Sequence, residues 1–309
     1  MDFAEFFTHG ARELVPLAWK KGLLFLFDVR GPAVFLVSDT RRMHETMHRL
    51  AMSALQLLQD GFIFMTAQTG MHDDQTANLS VSIAGTGARA GDAEVTAALR
   101  RLGLHERAAD PEAVEQDSAR VAVGTCPDTG ATLSFAANRS DGLLFAFDLN
   151  VPARLSEPSS PAPHAQGARA WLVADVPLTY QSLVRRLQRL GWATTTFGSV
   201  QEAADQLSQL KPGMTRPTLV VGAESPRVTA EQMRALRTLL PAATQVVLAA
   251  AIDSRTRTAG TGVELRHWPF SPRELVEFTR RARGAPGPFS GETLPAPLTF
   301  TDRPAALVV

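Results

Sequence analysis

His44-Glu45-Thr46-Met47-His48 is the stretch of this chain whose residue types and spacing most directly spell chemistry. Two histidines four apart on a helix put both imidazoles on one face, where they bind zinc, and the intervening glutamate serves as general base in hydrolysis. A third ligand must come from elsewhere. Ala51 and Ala54 stand where the longer zinc motif has a glycine and its third histidine, which leaves His72, Asp73 or Asp74 as candidates. A zinc-dependent hydrolase built on His44, Glu45 and His48 is therefore the alternative function. The preferred expectation is a pair of solvated histidines beside a helical core stripe.

Other chemistry-bearing groups are sparse. Gly85-x-Gly87-x-x-x-Gly91 lies between a strand and the 92–102 helix, the layout of a phosphate-cradling loop, but the antiparallel pattern around it predicts a plain turn. Arg185, Arg186 and Arg189 form a charged helix edge, expected to be a solvated face. The lone Cys126 excludes an intrachain disulfide and a thiolate metal cluster, which fits a reducing cytoplasmic setting. Basic and acidic residues balance at 31 each, so no global field favours nucleic acid or an anionic membrane. No apolar run is long enough to cross a bilayer, and residues 1–3 show no export signal.

The elements that must position these groups fall into two sets. From residue 170 to 282 the chain reads as five strand-plus-helix units, with apolar or β-branched runs at 171–174, 193–197, 218–221, 245–250 and 263–267. Between them Leu183, Leu187 and Leu190, then Ala203, Leu207 and Leu210, then Met233, Leu236 and Leu239 recur at helical spacing. The last helix, 271–283, opens with Ser271-Pro272, an N-cap followed by proline at the first helical position. This alternation predicts right-handed crossovers and a doubly wound sheet, with any site at the carboxyl ends of the strands.

The first half mixes helices with short strands. Asp2 is placed to cap a helix carrying Phe3, Phe6, Phe7, Ala11, Leu14 and Ala18 on one stripe. Strands at 23–27 and 33–37 follow, joined by a turn at Arg30-Gly31-Pro32. A second helix, opened by Asp39 or Thr40, presents Met43, Met47, Leu50, Ala54 and Leu57. Strands recur at 62–65, 79–83, 120–123, 131–135 and 143–148, with one or two helices between 92 and 116. Helices segregated from a largely antiparallel sheet predict an α/β sandwich. Ser156 to Gln166 is rich in proline, serine and alanine and sets a boundary near residue 160. The expected organisation is a domain at 1–154, a linker at 155–168, a domain at 169–284 and a disordered tail at 285–309.

The second half resembles the receiver domain of response regulators. In that family the first strand ends in two acids, and here the pair reads Ala174-Asp175. The phosphate-accepting aspartate, four positions before a proline, falls on Gly222, with Pro226 in place. The Ser or Thr of the fourth strand falls within Leu248-Ala249-Ala250, and the Lys-Pro pair of the fifth on Trp268-Pro269. Glu224, two residues past Gly222, is read as a surface loop acid. Magnesium needs hard oxygen ligands and phosphoryl transfer needs positioned charge, so the resemblance implies a receiver fold without aspartyl phosphorylation.

The first half resembles the ATP-binding domain of sensor histidine kinases. Ser38-Asp-Thr-Arg-Arg-Met43 is similar to that family's entry to its asparagine-bearing helix, but the two asparagines correspond to Arg49 and Ser53 and the following lysine to Gln56. Gly85 stands for the adenine-reading aspartate, and about thirty residues between that loop and Arg120 leave no room for the usual ATP lid. The His44-Glu45 pair is also similar to the phosphorylated pair of kinase dimerisation helices, but 61–66 reads as a strand where a second helix is needed. Such helices are expected to be missing, since the domain's first helix begins at once.

Together the resemblances imply a hybrid kinase fragment with both catalytic sites degenerate at Arg49, Ser53, Gly85, Asp175, Gly222, Ala249 and Trp268. The expected protein is no enzyme, binds no cofactor, metal or ATP, and serves a phosphorelay as a cytoplasmic protein-binding regulator or scaffold. Its expected partners are histidine kinase or response regulator components, with a homodimer allowed and neither nucleic acid nor membrane bound.

Overall fold

The structure is a computed structural model that describes residues 1–37, 40–87, 91–106, 120–137, 142–155, 163–211, 213–250 and 262–284. The expected tail, most of the linker, Asp39 as a helix opener and any helix at 107–116 lie outside the described residues.

The first half comprises α1 (Phe3–Lys20), β1 (Leu24–Arg30), β2 (Val34–Leu36), α2 (Thr40–Leu57), β3 (Phe62–Met71), β4 (Thr76–Gly85), α3 (Asp92–Leu102), β5 (His105–Glu106), β6 (Arg120–Thr125), β7 (Thr132–Ala137) and β8 (Leu143–Leu155). The sheet runs β1-β3-β4-β8-β7-β6-β5, and β2 pairs with β8. All pairs are antiparallel except β1 with β3, so the two strands flanking Gly31 are not hairpin partners. Gly31 has φ 97° and its Cα faces the Thr69 backbone, so no side chain fits there.

Alternation explains the packing. Ile63, Met65 and Ala67 on β3, with Ala77, Leu79, Val81 and Ile83 on β4, are buried on the face that the helices cover. The Asp2 carboxylate accepts from Glu5 N at 3.1 Å and caps α1, whose predicted apolar stripe is buried throughout. Lys21 Nζ donates to the carbonyls of Leu55 and Leu58 and so closes the free end of α2.

The second half comprises β9 (Arg169–Val173), α4 (Gln181–Arg189), β10 (Ala193–Phe197), α5 (Val200–Gln209), β11 (Leu219–Ala223), α6 (Ala230–Leu239), β12 (Gln245–Ala250), β13 (Glu264–His267) and α7 (Pro272–Gly284). Its sheet is fully parallel in the order β10-β9-β11-β12-β13. The fold is thus an N-terminal α/β sandwich followed by a doubly wound (βα)5 domain. One core expectation fails: Leu239 is 53% exposed, and Leu240, turning out of the helix, takes the buried place.

The two sheets share an apolar core. A single cluster runs from Phe7, Leu14 and Phe27 to Leu172, Leu183, Leu187, Phe270 and Phe278. Polar contacts fix its register. Arg12 donates to the Pro269 and His267 carbonyls at 3.0 and 3.4 Å and pairs with Glu274. Arg186 donates to the Phe270 carbonyl at 2.9 Å and lies 5.9 Å from the Phe27 ring centroid. Asp28, only 2% exposed, faces Arg30 at 2.8 Å and Arg185 at 3.5 Å. Ser182 Oγ donates to the Phe27 carbonyl, and Arg273 N to Glu5 at 2.7 Å. Arg186 is therefore not part of a solvated edge, because α4 turns it toward Phe27 and Phe270, whereas Arg185 and Arg189 stay exposed as expected. Burial pulls the Arg186 guanidinium down to about 10, with Asp28, Glu5 and Glu274 pulling the other way.

Proteolytic cutting within residues 155–168 is expected to leave the halves together as one species in size-exclusion chromatography. Adding Arg12→Ala and Asp28→Ala to the cut chain should separate them, since removing one partner of a buried ion pair costs about 3 kcal/mol.

Candidate functional site

The carboxyl ends of β9, β11, β12 and β13 form the crevice where a doubly wound sheet holds its ligand. Asp175, half-buried, follows β9, and Ala249 lies on β12 in register with Ala223. Trp268 follows β13 and begins a cis peptide bond to Pro269. These three line one cavity of about 300 Å³ together with Glu224. Glu224 is half-buried there, which corrects its expected place as a surface loop acid.

Gly222 points elsewhere. A Cβ built on it would lie 2.7 Å from Met233 Sδ and 3.1 Å from Val228 Cγ1, both in the core beneath α6. A side chain at this position would meet apolar atoms and not the crevice. Strand alternation is the reason: it turns Ala223 to the cavity, and Glu224, past the end of β11, lines it from the loop. The signal for this was available in the pattern Val220-Val221-Gly222-Ala223, had the period been followed to the strand end.

On α2 the second candidate site is filled. Arg49 donates to Asp128 at 3.1 Å and reaches the Cys126 sulfur at 3.8 Å, while Arg42 donates to the Asp128 carbonyl at 3.3 Å. The turn after β6 thus covers the helix face that carries Arg49. Ser53 is buried and returns its hydroxyl to the Arg49 carbonyl at 2.9 Å, and Gln56 accepts from Arg101 at 2.9 Å. A Cβ on Gly85 would lie 2.5 Å from Leu58 Cδ1 and 3.0 Å from the Phe62 carbonyl. Gly91 caps α3 with its N–H bonded to Glu94 at 3.0 Å, so the protein's own carboxylate occupies that helix start.

Cys126 is the buried nucleophile that spacing did not single out. It is 1% exposed, and Thr46 Oγ1 lies 3.4 Å from its sulfur. Burial raises the thiol, but hydrogen bonds from Thr129, Thr46 and the backbone of Asp128 and Thr129 outweigh it and leave the pKa below the ordinary value.

The zinc reading has no geometry behind it. His44 Nε2 and His48 Nδ1 both face Glu13 of α1, at 3.2 and 3.8 Å. Glu45 turns to Arg41 at 3.0 Å on the exposed side of α2, away from any water the imidazoles would hold. His72, Asp73 and Asp74 line a separate cavity with Arg154 and Leu155. Among the described residues no three His, Cys, Asp or Glu side chains are placed to hold a metal.

No protein-family profile matches the chain, and no curated protein matches it. Solved structures do. The chain is similar to full-length ShkA in complex with AMPPNP, at 16% identity and a TM-score of 0.53, over 91% of this chain and 56% of ShkA. The chain thus spans little more than half the length of that protein. Matches confined to one half include the catalytic domain of histidine kinase ThkA, at 14% identity and TM-score 0.31, covering 49% of this chain and 92% of that one. Another is the receiver domain of a signal transduction histidine kinase from Syntrophus aciditrophicus, at 20% identity and TM-score 0.33, covering 41% and 98%. The likeness to ShkA extends over both halves and is one of fold, an α/β sandwich followed by a doubly wound domain. These neighbours also correct one expectation: the chain was read as no enzyme, whereas its fold is kinase-like, a fold of enzymes.

Gly222→Asp should lower stability by about 3 kcal/mol in urea unfolding, because the carboxylate must enter a filled apolar space. A group with a depressed acid pKa stabilises above its unfolded value and loses that as pH falls through the folded one. Urea midpoints of the wild type should therefore rise as pH approaches 9.0, the ordinary thiol value, and this rise should be absent in Cys126→Ser.

Proposed function

We propose that this chain is a cytoplasmic signalling protein of a two-component pathway, acting as a protein-binding regulator or scaffold without ATP held at α2 or a phosphoryl group held at β11. Its partners are histidine kinase or response regulator components. The domain limits proposed are 1–154 and 169–284, joined by 155–168 and followed by a tail at 285–309. The degenerate positions are Arg49, Ser53, Gly85, Asp175, Gly222, Ala249 and Trp268.

The observation that carries this is the filled space at both glycines. At Gly222 and Gly85 a side chain would meet Met233 and Val228 or Leu58 and the Phe62 carbonyl, so an aspartate enters either position only with local repacking. Asp175 and Glu224 still give the receiver crevice two acids, but the nucleophile and the cation of that family have no counterpart among the described residues lining it. Protein binding is favoured by the layout that remains. The α4 and α7 side of the doubly wound domain packs on the first half, and the α5–α6 side lies on the other face of the sheet with Leu239 exposed. Among the described residues no helix is long and apolar enough to cross a membrane.

Affinity capture from the native cell, read by mass spectrometry, should recover a histidine kinase or a response regulator. Repetition with the chain cut near residue 160 and separated by Arg12→Ala and Asp28→Ala should assign binding to one half. Incorporation of an acid-labile phosphoryl group from acetyl phosphate, or magnesium-ATP binding in the micromolar range, would overturn the proposal.

A further inference from the structure

The outer face of the first sheet, away from α1, α2 and α3, is only half built for water. An antiparallel sheet with helices on one side ordinarily points polar side chains out on the other. Two outward rows obey this: Gln68, Ser80, Asp148 and Thr132 stand in register, and beyond them Asn78 donates to Asn150 at 3.1 Å. Another outward row does not. Its register runs Leu26, Phe64, Ala84, Leu144, Ala136 and Val121 across six neighbouring strands, without one polar side chain. Leu144 is 37% exposed and Val121 39%. Ser82, Ala146, Ser134 and Val123 form the adjoining row, so small uncharged side chains border the strip.

Shape selects the occupant. From Phe64 to Val121 the strip crosses five strands, about 19 Å, and one row is about 7 Å wide. That is on the order of 150 Å², far below the roughly 800 Å² that each copy brings to a stable dimer. A strip this narrow fits one extended chain laid across the strands. The protein carries a segment of that size and chemistry. Beyond Gly284, the end of α7, residues 285–309 lie outside the described residues, and their sequence holds the uncharged run 293–301 between Glu292 and Asp302. Within it Leu294, Ala296, Leu298 and Phe300 alternate with Pro295, Pro297 and Thr299, and Leu294 to Phe300 spans about 20 Å when extended. The prolines disfavour helix at the residues before them and lack the N–H that an added edge strand would donate. Gly284 to Leu294 can reach about 33 Å.

We propose that residues 294–300 dock across this strip, with Leu294, Leu298 and Phe300 covering Leu144, Ala136 and Val121. Neither surface carries a charge along the contact, so docking buries apolar area without stranding an ion. Because the segment follows α7, the docked strap ties the end of the second half to the sheet of the first. This contact is independent of the partner-docking role proposed above, so the two fail separately.

Maleimide labelling of single introduced thiols on the full chain tests it, since the native Cys126 is only 1% exposed. Leu144→Cys should label about tenfold faster once Leu298→Asp and Phe300→Asp are added, whereas Leu239→Cys on α6 should label equally in both backgrounds. Reciprocally, Phe300→Cys should label about tenfold faster when Leu144→Asp is present, at rates that do not depend on protein concentration. Circular dichroism confirms the fold of each variant. Labelling of Leu144→Cys that ignores the two tail substitutions overturns the proposal. So does an equal acceleration at Leu239→Cys, or protection that grows with protein concentration and thereby marks a second copy as the occupant.

Discussion

Two guanidinium groups hold this protein's halves in one register. Arg12 on α1 crosses to the second half and donates to the His267 and Pro269 carbonyls, while Arg186 on α4 donates to the Phe270 carbonyl of its own half and lies over the Phe27 ring of the first. Backbone carbonyls at a loop are polar groups that would otherwise need water, so capturing them lets the loop be buried. Asp28 completes the arrangement as a buried anion between arginines of both halves. Burying the Asp28 carboxylate is favourable only when it is paired and hydrogen-bonded, which ties the contact to a single relative placement.

That contact also covers the carboxyl ends of the second sheet. In a free doubly wound domain the strand ends are open, but here α1 and the start of β1 cover them. On α2 the turn at Cys126 to Gly130 plays a similar part, bringing Asp128 onto Arg49.

Much of the fold was legible because it rests on periodicity. The apolar runs and leucine spacings of 171–283 translate directly into a parallel sheet with covering helices, and the Asp2 cap and α1 stripe needed only local rules. Pairing partners were not legible: β1 joins β3 in parallel, and β2 pairs instead with β8, choices made by long-range burial. The candidate site was readable as residue types but not as directions. Gly222 was found by its offset from Pro226, yet the pleat turns it inward, and Glu224 turns out to line the cavity. Arg186 looked like solvent decoration because nothing in a helix's own sequence tells which neighbour will cover it.

The continuous apolar cluster linking both sheets has a thermodynamic corollary. When two folding units share one core, neither can loosen without exposing surface of the other, so their local opening free energies are linked and not independent. A binding event on the far side of either sheet then acts on the other through shared stability and needs no swinging motion between rigid bodies.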